Sequence, residues 1–332
     1  MSEHIIHLAS GGFEAARKTT LDKGQAQRLH GHSFRVDCAS VTALLPQLTL
    51  LCDRLNLSYL NELIDNPDNN ALLSWFQAQL AANQVKRIQL WAGPQDGMTY
   101  LAQKGIQTWF RSRFEAAHYL PHVPKNHKCG RLHGHGFEVL IHCPTAIREQ
   151  VKQVWREIHA HLHHQLLNDI EGLSNPTSEM LAHWIWHYFA KLGLTVAEVT
   201  VFETRSTGSV YNGQFFYIWK EFSFDSATQL AHQQKIIGHT YSLRVGLSSS
   251  LDEVFQWVED FGDVKKIFSP LIDQLDHQPL HEILATGSMT ECLAWLTKQA
   301  LGALPKMTRL SVWHTPQEGL RQEYTKLPLW VE

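Results

Sequence analysis

The chemistry of this chain is concentrated between Phe114 and Val139, where it reads FEAAHYLPHVPKNHKCGRLHGHGFEV. His133 and His135 flank a single glycine, Gly134. If HGHGFEVLIHC is a strand, side chains at i and i+2 share one face, so both imidazoles point the same way. Two imidazoles on one face are half of a zinc site. His118, at the end of the preceding apolar run, can come alongside as a third ligand. Three protein nitrogens and one open position are the layout of a catalytic zinc. Cys129 precedes His133 across the connecting loop. Beside a dication its thiol should have a lowered pKa and react as thiolate.

The full pattern, A-A-H followed by K-C-x-x-x-H-G-H, resembles the signature of the 6-pyruvoyl-tetrahydropterin synthase family. The loop wording PHVPKNHKCGRLHGH is nearer to its 6-carboxy-tetrahydropterin synthase branch. The resemblance implies a T-fold, a small α+β unit, with His118, His133 and His135 as zinc ligands and Cys129 as the catalytic thiol.

The elements that must position these residues occur three times. FEAAR at Phe13, FEAAH at Phe114 and FDSAT at Phe224 are followed by His30-Gly31-His32, His133-Gly134-His135 and Ile237-Gly238-His239. Each copy continues through a helical region, an L-x-x-x-x-L segment (LNLSYLNEL, LHHQLLNDI, LDHQPLHEI), a second helix and a strand. Three units are therefore expected, at 1–105, 106–213 and 214–332. In the middle unit, Val151, Val154, Trp155, Ile158 and Leu162 recur at helical spacing. Thr177 or Ser178 should cap a second helix that Gly193 stops. Val199–Thr204 and the aromatic run Gln214–Phe224 read as strands. No Gly/Ser-rich or Pro-rich linker separates the units, so they should pack tightly. Single-unit relatives assemble as trimers whose sheets join into a barrel. The expected fold class is thus α+β, three tandem T-fold units (antiparallel sheet plus helices) forming a pseudo-trimeric barrel in one chain. The resemblance allows a homodimer of such rings as the next level of assembly.

Only the middle unit carries every functional position. Unit one has Arg17 in place of the third ligand and Ala26 at the cysteine position. A guanidinium is permanently charged and cannot ligate zinc. Unit three has Thr228 and Ile237 at ligand positions and Gln233 for the cysteine. One zinc per chain is expected. The family's cysteine works with an Asp-His pair in the L-D-H segment. That segment is Leu162-His163-His164 in unit two, Leu55-Asn56-Leu57 in unit one, and intact only in unit three as Leu275-Asp276-His277. A composite site is the reading: unit two supplies Cys129 and zinc, and unit three supplies Asp276 and His277. His164 is the competing candidate. The family's pterin anchor is a glutamate in an E-T dipeptide, here Glu203-Thr204; units one and three have Ala92-Gly93 and His314-Thr315. The loop residues His122, Lys125, His127, Lys128 and Arg131 make a positive cluster that could hold a triphosphate.

The resemblance implies conversion of 7,8-dihydroneopterin triphosphate to 6-carboxy-5,6,7,8-tetrahydropterin with loss of triphosphate and acetaldehyde, on the path to queuosine-type deazapurines. Two alternatives stay open: another zinc pterin lyase, including the 6-pyruvoyl type, and a non-catalytic pterin-binding protein. Bulk properties agree with a globular enzyme. The 332 residues are 44% hydrophobic. With 29 Lys+Arg against 32 Asp+Glu, a net charge of −3 gives no reason to expect nucleic acid or an anionic membrane as partner. No apolar run approaches the ~20 residues that span a bilayer. The first residues lack the n- and h-regions of a signal peptide. Cys38, Cys52, Cys129, Cys143 and Cys292 show no framework spacing, so a reduced cytoplasmic setting is expected. The tryptophans read as packing residues more than as ligand-stacking ones.

Overall fold

The computed structural model describes the chain except residues 1–3, 21–27, 81–83, 230–234, 252–255, 326, 328 and 330–332. The expected cysteine-position residues Ala26 and Gln233 lie outside the described residues.

The same element order runs three times. Strands β1 (His4–Arg17) and β2 (His30–Ser40), helix α1 (Leu45–Leu55), short β3 (Ser58–Tyr59), helix α2 (Asn69–Gln79), β4 (Val85–Trp91) and β5 (Asp96–Leu101) make the first round. The second is β6 (Gly105–His118), β7 (His133–Cys143), α3 (Arg148–Leu162), α4 (Ser178–Lys191), β8 (Glu198–Thr204) and β9 (Thr207–Tyr211). The third is β10 (Phe216–Thr228), β11 (Ile237–Ser249), α5 (Phe261–Leu275), the single turn α6 (Leu280–Ile283), α7 (Met289–Ala300), β12 (Met307–Thr315) and β13 (Glu318–Glu323).

All these strands join one antiparallel sheet, except that β3 adds in parallel to β1. The order β13-β12-β11-β10-β9-β8-β7-β6-β5-β4-β2-β1 closes on itself, because β1 also pairs β13 from His4↔Glu323 to Ala9↔Glu318. Closure leaves the ring with no open edge. The sequence-based expectation of an α+β barrel of fused units is met. The seams between rounds are ladders like those within them: Leu101↔Gly105 starts the β5–β6 hairpin, and Tyr211↔Phe216 joins β9 to β10. Gly105 turns that hairpin at φ +82°, a region closed to most L residues.

Strand alternation gives the barrel two faces. On β6, Phe110, Phe114 and Ala116 point to the helices, where they pack with Phe137, Trp155, Ile158, Leu181 and Ile185. Trp109, one residue out of phase, packs instead with Leu140, Tyr217 and Trp219. Corresponding cores lie under α1–α2 and α5–α7. Helix α4 begins after Thr177, whose Oγ accepts the Met180 N–H at 3.2 Å, and the chain leaves it at Gly193, φ +73°. No helix among the described residues is long and apolar enough to cross a membrane.

One unusual conformation recurs in all three rounds. Leu57, His164 and His277 each adopt positive φ (56°, 60° and 55°) and donate their N–H to the carbonyls of Glu14, Glu115 and Asp225. None is glycine, so each carries a backbone cost that tertiary contacts must offset.

Candidate metal centre and active site

The hairpin β6–β7 pairs His118 directly with His133 and Ala116 with His135. His118, His133 and His135 therefore share the helix-side face with Phe114 and Phe137. Their ring centroids are 4.4, 5.2 and 5.1 Å apart, and one ligand nitrogen of each lies within 4.8 Å of the others. Tetrahedral coordination at about 2.05 Å needs ligand nitrogens roughly 3.3 Å apart, so a small inward shift completes a zinc sphere. The outer nitrogens are already committed. His118 Nδ1 meets the Pro176 carbonyl at 2.9 Å and His133 Nδ1 meets the Arg131 carbonyl at 2.7 Å. If both donate there, each Nε2 is left as a lone-pair donor, the usual outer-shell arrangement of a metal-binding histidine. His118 Nε2 and His135 Nε2 are buried with no hydrogen-bond partner. Buried orphan nitrogens are costly, and a metal satisfies them. Burial and the two neighbouring imidazoles push His118 down to about 4, so it is neutral, as a ligand must be.

Glu203 joins this cluster on the same face. It sits where the β8–β9 register slips between Phe202 and Thr204, and such bulges re-aim side chains. Its Oε1 is 3.5 Å from His135 Nε2. Burial raises its pKa, opposed by His133, a Ser178 hydrogen bond, Lys128 and Lys220. Thr204 itself is exposed and bonds Thr207 Oγ at 2.7 Å. Lys128 lies in a 3-10 turn, Lys128–Gly130, and its charge is felt by both Glu203 and Cys129. Arg131 is exposed and contributes its carbonyl to His133.

Cys129 is partly buried in that turn. The protein's own groups push its thiol up: burial first, then Glu203, with Lys128 opposing and Asp260 adding. The lowered pKa expected from sequence is that of a thiol beside a bound dication, whose charge would act against this upward push. The turn is clamped by His127, whose Nδ1 accepts the Cys129 N–H at 3.3 Å while Nε2 meets Asp260 Oδ2 at 3.2 Å.

Asp260 belongs to the third round, and its neighbours make the rest of the junction. Glu179, 2% exposed, accepts the Val258 N–H at 3.0 Å, and the Thr177 hydroxyl donates to the Gln256 carbonyl at 2.9 Å. Burial raises Glu179 to about 7. Sequence reasoning missed Asp260 and Glu179. Each has a signal, Asp260 as the N-cap of α5 and Glu179 in the first turn of α4, but both signals read as helix-end chemistry.

Asp276 and His277 are elsewhere. They follow the C-terminus of α5, whereas Asp260 precedes its N-terminus, and a 15-residue helix spans roughly 22 Å. Asp276 caps the Asp225 N–H and pairs with His277 at 2.9 Å; neither touches Cys129, Glu203 or the three histidines among the described residues. The composite site expected within one chain is thus not assembled from this pair, because α5 holds it at the far end. His164 also misses the metal face. It stacks on His163, which contacts Glu115, a β6 residue pointing opposite to Phe114 and Ala116.

The other two rounds show what replaced the ligand. His118, Arg17 and Thr228 all donate to the carbonyl just before the next helix N-cap: Pro176, Pro67 and Gly287, each at 2.9 Å. In the first round the Arg17 guanidinium then reaches His32 Nε2 at 3.3 Å.

Comparison with protein families agrees with the repeat. A family model described as 6-pyruvoyl tetrahydropterin synthase matches residues 107–214 and again 217–324. A 6-carboxy-5,6,7,8-tetrahydropterin synthase of Synechocystis sp. is 34% identical over 116 residues, 30% of this chain and 86% of that protein. A dihydroneopterin monophosphate aldolase of Pyrococcus furiosus is 28% identical over 107 residues, 31% of this chain and 92% of that protein. The structure of Caenorhabditis elegans 6-pyruvoyl tetrahydropterin synthase aligns at 16% identity over 33% of this chain and 96% of its own, with a TM-score of 0.31. The two family matches together span more than half of the sequence, and the chain belongs to the 6-pyruvoyl tetrahydropterin synthase family.

Proposed function

We propose that this protein is a zinc-dependent pterin lyase of the 6-carboxy-5,6,7,8-tetrahydropterin synthase type. It would convert 7,8-dihydroneopterin triphosphate with loss of triphosphate and acetaldehyde. The observation that carries the reading is the convergence of three imidazoles, two with orphaned buried Nε2 atoms, beside Glu203 and the Cys129 turn. In this reading residues 106–213 form the catalytic unit, while 1–105 and 214–332 complete the ring around it.

A zinc held by His118, His133 and His135 would supply the positive charge that acidifies the side-chain hydroxyls and adjacent carbons of the substrate. Glu203 would accept the ring N–H and exocyclic amine in a fork, fixing the pterin so that its side chain meets the histidine face. Cys129 would remove a proton as thiolate. Lys128 and Arg131 would hold phosphate oxygens, and Thr204 would line the strand end. His127 and Asp260 hold the Cys129 turn; this is what residues 214–332 contribute here, in place of Asp276 and His277.

The separation of Asp276 and His277 from Cys129 favours a second reading, a protein that binds pterin without this turnover. A third, aldolase-type cleavage of a dihydroneopterin phosphate, is supported by the name of the Pyrococcus furiosus relative. Product analysis separates them. Zinc-loaded protein is incubated with 7,8-dihydroneopterin triphosphate and, separately, the monophosphate. 6-Carboxytetrahydropterin and acetaldehyde from the triphosphate, lost in Cys129→Ala, support the proposal. Cleavage of the monophosphate alone supports the aldolase, and binding without product supports the non-catalytic pterin-binding protein.

A further inference from the structure

A cavity of about 820 Å3 lies between residues of β5, β6 and α3 and the His30–His32 end of β2. It is the first round's counterpart of the metal centre, and its chemistry is inverted. Where His118 offers a lone pair, Arg17 places a cation. Arg17 is 5% exposed. Its guanidinium donates to the Pro67 carbonyl and Asn69 Oδ1 at 2.9 Å each, and reaches His32 at 3.3 Å, while its buried Nε–H has no partner. Burial lowers its pKa to about 10, which still leaves it charged at neutral pH.

The cavity wall adds further positive charge. Arg28, Arg148 and Lys152 line it, against Asp68 and Asp96. Asp96 lies 3.7 Å from Arg148, and Asp68 caps α2 through the Ala71 N–H. Among the described residues neither Arg28 nor Lys152 pairs with a carboxylate; Lys152 lies 5.8 Å from the Phe110 ring centroid instead. Four cations, Arg17, Arg28, Arg148 and Lys152, thus face one cavity against two carboxylates, Asp68 and Asp96, whose charges are felt by Arg17. The pterin fork is missing, since Ala92 stands at the position of Glu203.

We propose that this cavity is a second ligand site, in which the Arg17 guanidinium stands where the other site would hold a metal, and that it takes a phosphate-bearing small anion. Several separated cations suit a ligand with several charged oxygens better than a single carboxylate, and Arg matches phosphate geometry with its planar fork. The site needs no metal and no turnover in the other unit, so it stands apart from the proposed reaction.

The test is calorimetric titration of the full zinc-loaded chain with inorganic triphosphate, at low and at physiological salt. Arg28→Ala/Lys152→Ala alters the wall without touching the buried guanidinium, and Lys128→Ala alters only the other site. The expected result is binding that weakens with salt, weakens at least tenfold in Arg28→Ala/Lys152→Ala, and persists in Lys128→Ala. Binding unchanged in the double variant, abolished by Lys128→Ala, or undetectable at millimolar triphosphate would overturn the proposal. Citrate competing as well as triphosphate would overturn the assignment to phosphate.

Discussion

Acid should destabilise the metal-free chain through His118, by an amount that follows from its burial. The residue is 1% exposed, and burial holds its pKa down to about 4 against an ordinary 6.5. Between those values the unfolded chain takes up a proton that the folded chain refuses. Stability is therefore full above pH 6.5 and falls as pH drops towards 4. Linkage over this window gives a loss of about 2 kcal/mol between pH 7 and pH 5, and about 3 kcal/mol by the time the pH lies below 4. His118→Asn removes the titrating ring. Histidines outside this cluster, such as the half-buried His183, titrate in both proteins and cancel in the difference. The assay is urea unfolding of chelator-treated protein at pH 7 and pH 5, followed by tryptophan fluorescence. The parent should lose about 2 kcal/mol more than His118→Asn between the two pH values. Equal losses would refute the reasoning, because the ring would then titrate as it does in water.

Other expectations concern the neighbours of that ring. Glu203 and Asp260 both hold the Cys129 thiol up, so Asp260→Asn in the metal-free chain should speed its alkylation at pH 7.5, and zinc should speed it further in the parent; slower alkylation in the variant would contradict this charge assignment. Asp276→Asn and His277→Ala should leave kcat/KM for the dihydroneopterin triphosphate within about twofold, while Glu203→Gln lowers it by roughly 10- to 100-fold through loss of charge-assisted hydrogen bonds; a loss above tenfold in Asp276→Asn would show that the pair reaches the site after all. Thr177→Ala removes both the α4 cap and the bond to the Gln256 carbonyl, and should cost about 1–2 kcal/mol in urea unfolding, where no change would deny the hydroxyl its role.

The parts of the site that depend on local rules were legible in the sequence. His133 and His135 follow strand alternation, and the hairpin register carries His118 to His133. The Thr177 cap and the Gly193 stop are likewise local events. What could not be read depends on where a neighbouring round lies in space. Matching the letters of Leu275-Asp276-His277 says nothing of which end of α5 faces Cys129; the structure presents Asp260 there. Glu179 looks like an ordinary first-turn acid until the Val258 N–H covers it. The contribution of Asp260 to the Cys129 environment was not legible either, because Asp260 lies far from it in sequence. Arg17 was legible as a lost ligand, but its grip on the Pro67 carbonyl, matching that of His118 on Pro176, needed coordinates.

The most direct test of the central claim is the zinc content of the purified chain and its variants, measured by plasma emission after dialysis against trace metal. The account predicts about one zinc per chain in the parent and in His32→Ala, and none in His133→Ala. Zinc retained in His133→Ala, or lost in His32→Ala, would contradict the assignment of the metal centre to His118, His133 and His135.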